Sequence, residues 1–241
     1  MEMNLNNLCI ENVDETVDLV NQDYSTIINT KDGIVIESVF KYLDQRFCEL
    51  LYELDYDLIL GCVAWLTHAR ILTEISSNCK KVQIVVQKED FLRPDINFEN
   101  NRPWWNELRI LYDSLECKME RHEFGGIMEK LSVGGDPTVQ PIRCVGNYNE
   151  LKATTFPRSH HKFIVFCKEK PDVVPIAVWT GSFNFTKNAT MSFENAIVIK
   201  DDSGENKILQ SYLDEYYQVF ALSEPLDWEH IWCEPEYRIG T

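Results

Sequence analysis

Two largely apolar runs, Leu58-Ile59-Leu60-Gly61-Cys62-Val63-Ala64-Trp65 and Lys81-Val82-Gln83-Ile84-Val85-Val86, constrain this fold more than any other feature of the chain. Runs of that length without polar alternation read as strands buried inside a sheet. Thr67 to Ser76, between them, suits a short helix. Strand, helix and strand in that order predict parallel pairing through a right-handed crossover, because a right-twisted strand feeding a helix packs back onto its sheet only that way. Further strands are expected at Phe163–Phe166, Ile176–Trp179 and Ala196–Ile199, which are rich in β-formers. A helix is expected from Ile36 to Leu54, where Val39, Phe40, Leu43, Phe47, Leu50 and Leu51 fall on helical spacing. A second, amphipathic helix is expected from Gly204 to Leu222, with Ile208, Leu209, Tyr212, Leu213, Tyr216, Tyr217 and Phe220 on one stripe.

The rest of the chain is organised around these elements. Residues 1–35 read as a variable N-terminal strand or hairpin region, and 36–241 as the main domain. Residues 90–155 read as an insertion, with turns at Gly125-Gly126 and Gly134-Gly135-Asp136-Pro137. Within it, Arg102-Pro103-Trp104-Trp105 leads into a helix through Leu108, Ile110, Leu111 and Leu115. Adjacent tryptophans of this kind are expected to seal a helix onto a core, with stacking on bases as the alternative. The aromatic, acidic tail from Trp228 to Tyr237 is expected to pack down. With 241 residues and 44% apolar composition, one α/β domain with an insertion is expected rather than a disordered chain.

No apolar run reaches the roughly 18–20 residues a bilayer span requires. The start, Met1-Glu2-Met3-Asn4-Leu5-Asn6-Asn7, lacks the basic and apolar regions of a signal peptide, so a soluble, cytoplasmic protein is expected. The eight cysteines are scattered with no Cys-x-x-Cys pair, which predicts reduced, buried thiols rather than a disulfide or zinc framework. His68, His122 and His230 have no partner at metal-ligand spacing, and there is no Gly-rich cofactor loop or P-loop, so no metal and no cofactor are expected.

The net charge of −16 argues against a generic nucleic-acid binder, whose affinity comes from Lys and Arg against phosphates. The distribution softens that objection. Residues 143–187 carry seven basic residues against three acidic ones, whereas 1–60 carry three against thirteen and 194–241 three against eleven. A basic strip in an acidic body suits a substrate engaged locally rather than wrapped.

That strip contains the residues with chemistry. His160 and Lys162 are two apart and run into Phe163-Ile164-Val165-Phe166, so on a strand they share a face. An imidazole and an ammonium aimed at one ligand are what attack on a phosphodiester requires: a nucleophile, and a fixed cation for the non-bridging oxygens. Ser182 and Asn184, after Ile176-Ala177-Val178-Trp179, add a hydroxyl and an amide suited to phosphate oxygens. The adjacent His161 is expected to face the other side and to be structural.

His160-x-Lys162 followed by Gly181-Ser182-Phe183-Asn184-Phe185-Thr186, with Glu194-Asn195 leading into another apolar run, resembles the signature of the phospholipase D superfamily. It is most similar to the single-motif members, the Nuc-type endonucleases and the mitochondrial cardiolipin hydrolase group. The motif likeness covers roughly residues 158–200, with a vaguer one over 36–92. The resemblance implies a mixed β-sheet flanked by helices on both faces. It implies that His160 is the nucleophile, that Lys162, Ser182 and Asn184 hold phosphate oxygens, and that Glu194 accepts a hydrogen bond from the imidazole. Lys187 and Arg158 are the expected substrate-binding cations. Where the family pattern usually has an Asp that supports the site, this chain has Cys167.

One His-x-Lys supplies one histidine, while in-line displacement requires a nucleophile on one side and an acid on the other. The resemblance implies a twofold homodimer that brings two copies together. The expected activity is a metal-independent nuclease acting on DNA or RNA, the lysines supplying the positive charge. The alternatives are a phospholipid phosphodiesterase and a catalytically silent phosphate-binding scaffold. A protein partner in a larger system is compatible with a chain of this size, and no stable membrane insertion is expected.

Overall fold

The computed structural model describes residues 23–30, 33–89, 92, 103–117, 140–146, 158–169 and 172–226. In chain order the elements are β1 (Thr26–Asn29), β2 (Val35–Val39), α1 (Leu43–Glu53), β3 (Leu58–Val63), α2 (Ala69–Asn78), β4 (Val82–Gln87), α3 (Pro103–Asp113) and β5 (Ile142–Val145). They are followed by β6 (Lys162–Glu169), β7 (Val173–Gly181), a short 3-10 helix (Asn188–Met191), β8 (Ala196–Lys200), α4 (Lys207–Ala221) and β9 (Glu224–Pro225). The strands form a single mixed sheet in the order β1-β2-β8-β7-β6-β3-β4-β5-β9.

The β3–α2–β4 unit is parallel, with Ile59 opposite Val82 and Val63 opposite Val86, and every residue of both strands is buried. Each strand is covered on both faces, which is why neither alternates in sequence. On one face lie α1, through Phe47, Leu50 and Leu51, and α2, through Ile71, Leu72 and Ile75. On the other lies α4, whose buried Leu209, Leu213, Tyr216 and Phe220 repeat at helical spacing. Asn206 caps that helix by accepting from the N–H groups of Ile208 and Leu209, at 2.9 and 3.3 Å. Helices thus cover both faces, as expected.

The structure departs from the sequence reading in three places. The helix read from Ile36 to Leu54 is two elements. Residues 35–39 form β2, which pairs antiparallel with β8 (Ile36 opposite Ile199), and α1 starts only at Leu43. Val39 and Leu43 are both core residues, so their spacing of four imitates a helical stripe across the break. Tyr42, left-handed at φ 53°, turns the chain between the two elements. Second, the span read as an insertion contributes β5 to the sheet, parallel to β4 and in turn paired with β9. Third, Ile208 lies outside the buried stripe of α4, at 54% exposure.

Other expectations fall where the structure shows them directly. Cys48, Cys62, Cys79 and Cys167 are free, buried thiols, and Cys117 and Cys144 are buried as well. No described helix is long and apolar enough to cross a membrane. The turns at 125–137 and the tail from Trp228 lie outside the described residues.

Candidate active site

The motif residues collect at one edge of the sheet, where β3 and β4 end, β6 begins and β7 ends. Backbone bonds knit that edge together. Ala64 N–H donates to His161 O at 2.8 Å, and the N–H groups of Thr67 and His68 both donate to Phe185 O, at 2.8 and 2.9 Å. The strand expected to contain His160 begins only at Lys162, so His160 sits in the entering segment with its side chain exposed.

Lys162, by contrast, is 7% exposed. Its Nζ donates to His160 O at 2.8 Å, so the cation is anchored to the backbone of the nucleophile candidate. Burial pushes its pKa below the ordinary lysine value, and the nearby Glu194 carboxylate opposes that shift. Both reactive groups meet one indole. The His160 ring stands edge-on to Trp65 with centroids 5.8 Å apart, and Lys162 Nζ lies 6.0 Å from the same ring centre.

The loop after β7 is shaped by alternate burial. Phe183 and Phe185 are fully buried and pack at 5.4 Å, with Phe185 edge-on to Phe47 at 4.8 Å. That anchoring leaves Ser182 exposed and Asn184 half-buried. Ser182 and Asn195 hold each other reciprocally. Ser182 N–H donates to Asn195 Oδ1 at 3.1 Å, and Asn195 N–H donates to Ser182 Oγ at 3.0 Å. The Ser182 hydroxyl keeps its own O–H for an outside acceptor. Gly181 is required beside this pair, since a Cβ there would lie 2.2 Å from Asn195 O.

Asn184, Lys187 and Glu194 line an open cleft of about 600 Å³ together with Trp65, Glu89 and Trp104. Asn184 Oδ1 is buried with no hydrogen-bond partner, which marks a site poised for an outside donor. His160 and Lys162 border a second hollow, of about 430 Å³, on the α4 side. There His161 Nε2 pairs with Glu215 Oε1 at 3.0 Å, both side chains partly exposed; His161 lines the same hollow as His160 and Lys162 rather than facing away from them. The motif strand borders the second hollow, while the first cleft is lined from the segments after β3 and β4, from α3 and from residues 184–194. Arg158 is exposed and Lys187 is exposed at the rim. Glu194 touches the site through the charge of Lys162; the His160 ring makes no hydrogen bond to it.

Cys167 is fully buried in the second core cluster, and its surroundings push its thiol pKa far up. Five residues along β6 from Lys162, it lies roughly 17 Å away, outside the site. Sequence reasoning passed over Trp65, Glu89, Gln87 and the Asn195 side chain. Trp65 sits at the end of a buried-strand pattern and reads as core, whereas Asn195 carried a signal in its place after Glu194.

In His160-x-Lys162 and Gly181-Ser182-Phe183-Asn184 the chain resembles the phospholipase D superfamily. No protein-family model matches it. It is 29% identical over 210 residues to an uncharacterized protein of Acanthamoeba polyphaga mimivirus, an alignment spanning 80% of this chain and 68% of that protein. Among solved structures it is similar to Nuc from Salmonella typhimurium, described as a phospholipase D family member, at 17% identity and TM-score 0.48, covering 79% of this chain and 97% of that one. NucT from Helicobacter pylori is 13% identical with TM-score 0.44, over 79% and 98% of the two chains. Phosphatidylserine synthase from Haemophilus influenzae is 13% identical with TM-score 0.45, over 82% of this chain and 41% of that one.

Proposed function

We propose that this chain is a phosphodiesterase whose substrate is a strand of DNA or RNA, cleaved through a covalent phosphohistidine on His160 without a metal ion. The observation that carries this reading is the exposed imidazole of His160 beside the buried, backbone-anchored ammonium of Lys162. In the first step a ring nitrogen of His160 attacks phosphorus. The P–N bond forms as the P–O bond to the leaving oxygen breaks, and that oxygen takes a proton from an acid on the opposite side. Water then attacks the phosphohistidine, giving its proton to the same residue, and the phosphate monoester leaves with His160 restored. Lys162, the Ser182 hydroxyl and the Asn184 amide donate to the non-bridging oxygens, while Lys187 and Arg158 hold flanking phosphates. Glu194 is the counter-charge that keeps Lys162 protonated. A single chain has one His-x-Lys, so the acid is His160 of a second copy and the working unit is a twofold homodimer.

A second reading, a phospholipid diester as substrate, is favoured by Met191 and Phe193. They are 88% and 89% exposed in the segment leading to Glu194, as apolar side chains entering a lipid surface would be. The test is cleavage of single- and double-stranded DNA and RNA, and of cardiolipin vesicles, in excess EDTA with His160→Ala as control. The expected result is nucleic-acid turnover that survives chelation, disappears in the variant and leaves an acid-labile phosphoryl label on the wild-type protein. Turnover retained by His160→Ala would falsify the assignment, and cleavage of cardiolipin alone selects the lipid.

A further inference from the structure

Trp65 and Trp104 come from segments about forty residues apart in the chain, yet both line the cleft that contains Asn184, Lys187 and Glu194. Trp65 is half-buried, and its indole N–H donates to Glu89 Oε1 at 3.2 Å, which fixes the ring beside His160 and Lys162. Trp104 is 40% exposed at the start of α3. That helix is bound to the site edge: Leu108 and Tyr112 are core residues, and Tyr112 O–H donates to Leu66 O, next to Trp65, at 2.7 Å. Trp104 was expected to seal a helix onto the core. Leu108 and Tyr112 are core residues of that helix, and Trp104 lines the cleft.

We propose that this cleft is an aromatic subsite for one unpaired nucleobase adjoining the scissile phosphate, which makes single-stranded nucleic acid the substrate. The proposal rests on the phosphodiesterase reading and narrows it. An unpaired base exposes a π-face and a polar edge, whereas a base inside a duplex has both covered; stacking on an indole contributes about 1–3 kcal/mol per base. The polar lining fits the edge. Thr67, Asn188 and Asn184, with its partnerless Oδ1, offer donors and acceptors to ring nitrogens and exocyclic groups. Glu89 and Glu194 offset the charge of Lys187 in the lining, so the cleft is not a purely cationic phosphate site and suits a neutral ring, with the flanking phosphate held by Lys187 at the rim. Acyl chains fit poorly, because they would strip water from Thr67, Glu89 and Asn184 and return no hydrogen bonds.

The experiment uses the full chain with His160→Ala, so that nothing is consumed, and follows tryptophan fluorescence. The probes are a short single-stranded oligonucleotide, the same strand with abasic residues, its duplex, and cardiolipin vesicles. The intact strand is expected to quench tryptophan emission and to bind about fivefold or more tighter than the abasic strand or the duplex. Adding Trp104→Ala, a change at an exposed position, should erase that difference. Equal binding of intact and abasic strands, a preference that survives Trp104→Ala, or tighter binding of vesicles than of any nucleic acid would each overturn the subsite. The two readings fail separately. Base-dependent binding by a wild-type protein that cleaves no diester sinks the phosphodiesterase and leaves the subsite. A wild-type protein that cuts duplex and abasic strands as fast as intact single strands sinks the subsite and leaves the phosphodiesterase.

Discussion

The side-chain carbonyl of Gln87 accepts the Ser159 backbone N–H at 2.7 Å, tying the end of β4 to the residue before His160. Gln87 is 1% exposed, and its amide donates to Lys88 O at 2.9 Å, so its orientation is set from both ends. Gly146, at φ +88°, backs onto it, and a Cβ there would lie 2.6 Å from Gln87 Oε1.

Gln87→Leu is expected to cost about 1–3 kcal/mol of stability, the usual result of orphaning a buried hydrogen-bonding group. Gly146→Ala should act in the same direction, by pushing the amide off Ser159 and by straining a left-handed backbone. In both, kcat should fall further than KM rises, because the His160 segment loses its anchor while the phosphate-holding groups stay. Denaturant melts and steady-state kinetics check this together; folded variants with wild-type kcat would remove Gln87 from any positioning role.

Lys162→Ala is expected to lower turnover about 10²–10³-fold, the scale on which one preorganised charge contact acts in a dry site. Wild-type activity should also fall at alkaline pH earlier than the ordinary lysine value of 10.5 implies, since burial lowers the Lys162 pKa. Between that lowered value and 10.5 the unfolded chain binds more protons than the folded one, so Lys162 makes stability rise with pH just where activity is lost. Lys162→Arg, which stays charged, should move the alkaline limb upward. An alkaline limb identical in both proteins would show that another group titrates.

Restoring the family's usual residue with Cys167→Asp is expected to harm rather than help. The position is fully buried among Leu58, Val165 and Val178, and among the described residues no cation lies in that cluster to meet a carboxylate. An uncompensated buried charge costs about 3–5 kcal/mol. A lower urea midpoint with no gain in turnover is the predicted outcome, and increased turnover in a folded variant would count against the core role of Cys167.

Subunit mixing probes the dimer. If each site uses two copies of His160, exchanging wild-type chains with His160→Ala chains should reduce activity as the square of the wild-type fraction. A linear decline would mean that each chain works alone.

Much of this molecule was legible in the chain. Leu58–Trp65 and Lys81–Val86 read as buried strands, and β3 and β4 fall within a residue or two of those runs, because both faces are covered and few polar residues interrupt either run. His160, Lys162, Ser182 and Asn184 could be named from the sequence because they fall at the start of one strand and in the short loop after its neighbour, which pair side by side. The break between β2 and α1 was not, since Val39 and Leu43 are core residues in either conformation. What decides for a strand is the ladder offered by β8, about 160 residues downstream.

The sequence by itself determined the central elements, the covered faces of the central strands and which two residues are the candidate reactive pair, since hydrophobic periodicity and short spacings are local properties. The tertiary structure alone decided what surrounds that pair. Trp65, Gln87, Trp104 and Asn195 reach the site from four separate segments. Their convergence depends on which strands lie side by side, and in particular on β6 pairing with β3 across about a hundred residues of chain. Such pairings are selected by the burial of the whole sheet between its helices, and no short stretch of sequence contains that information.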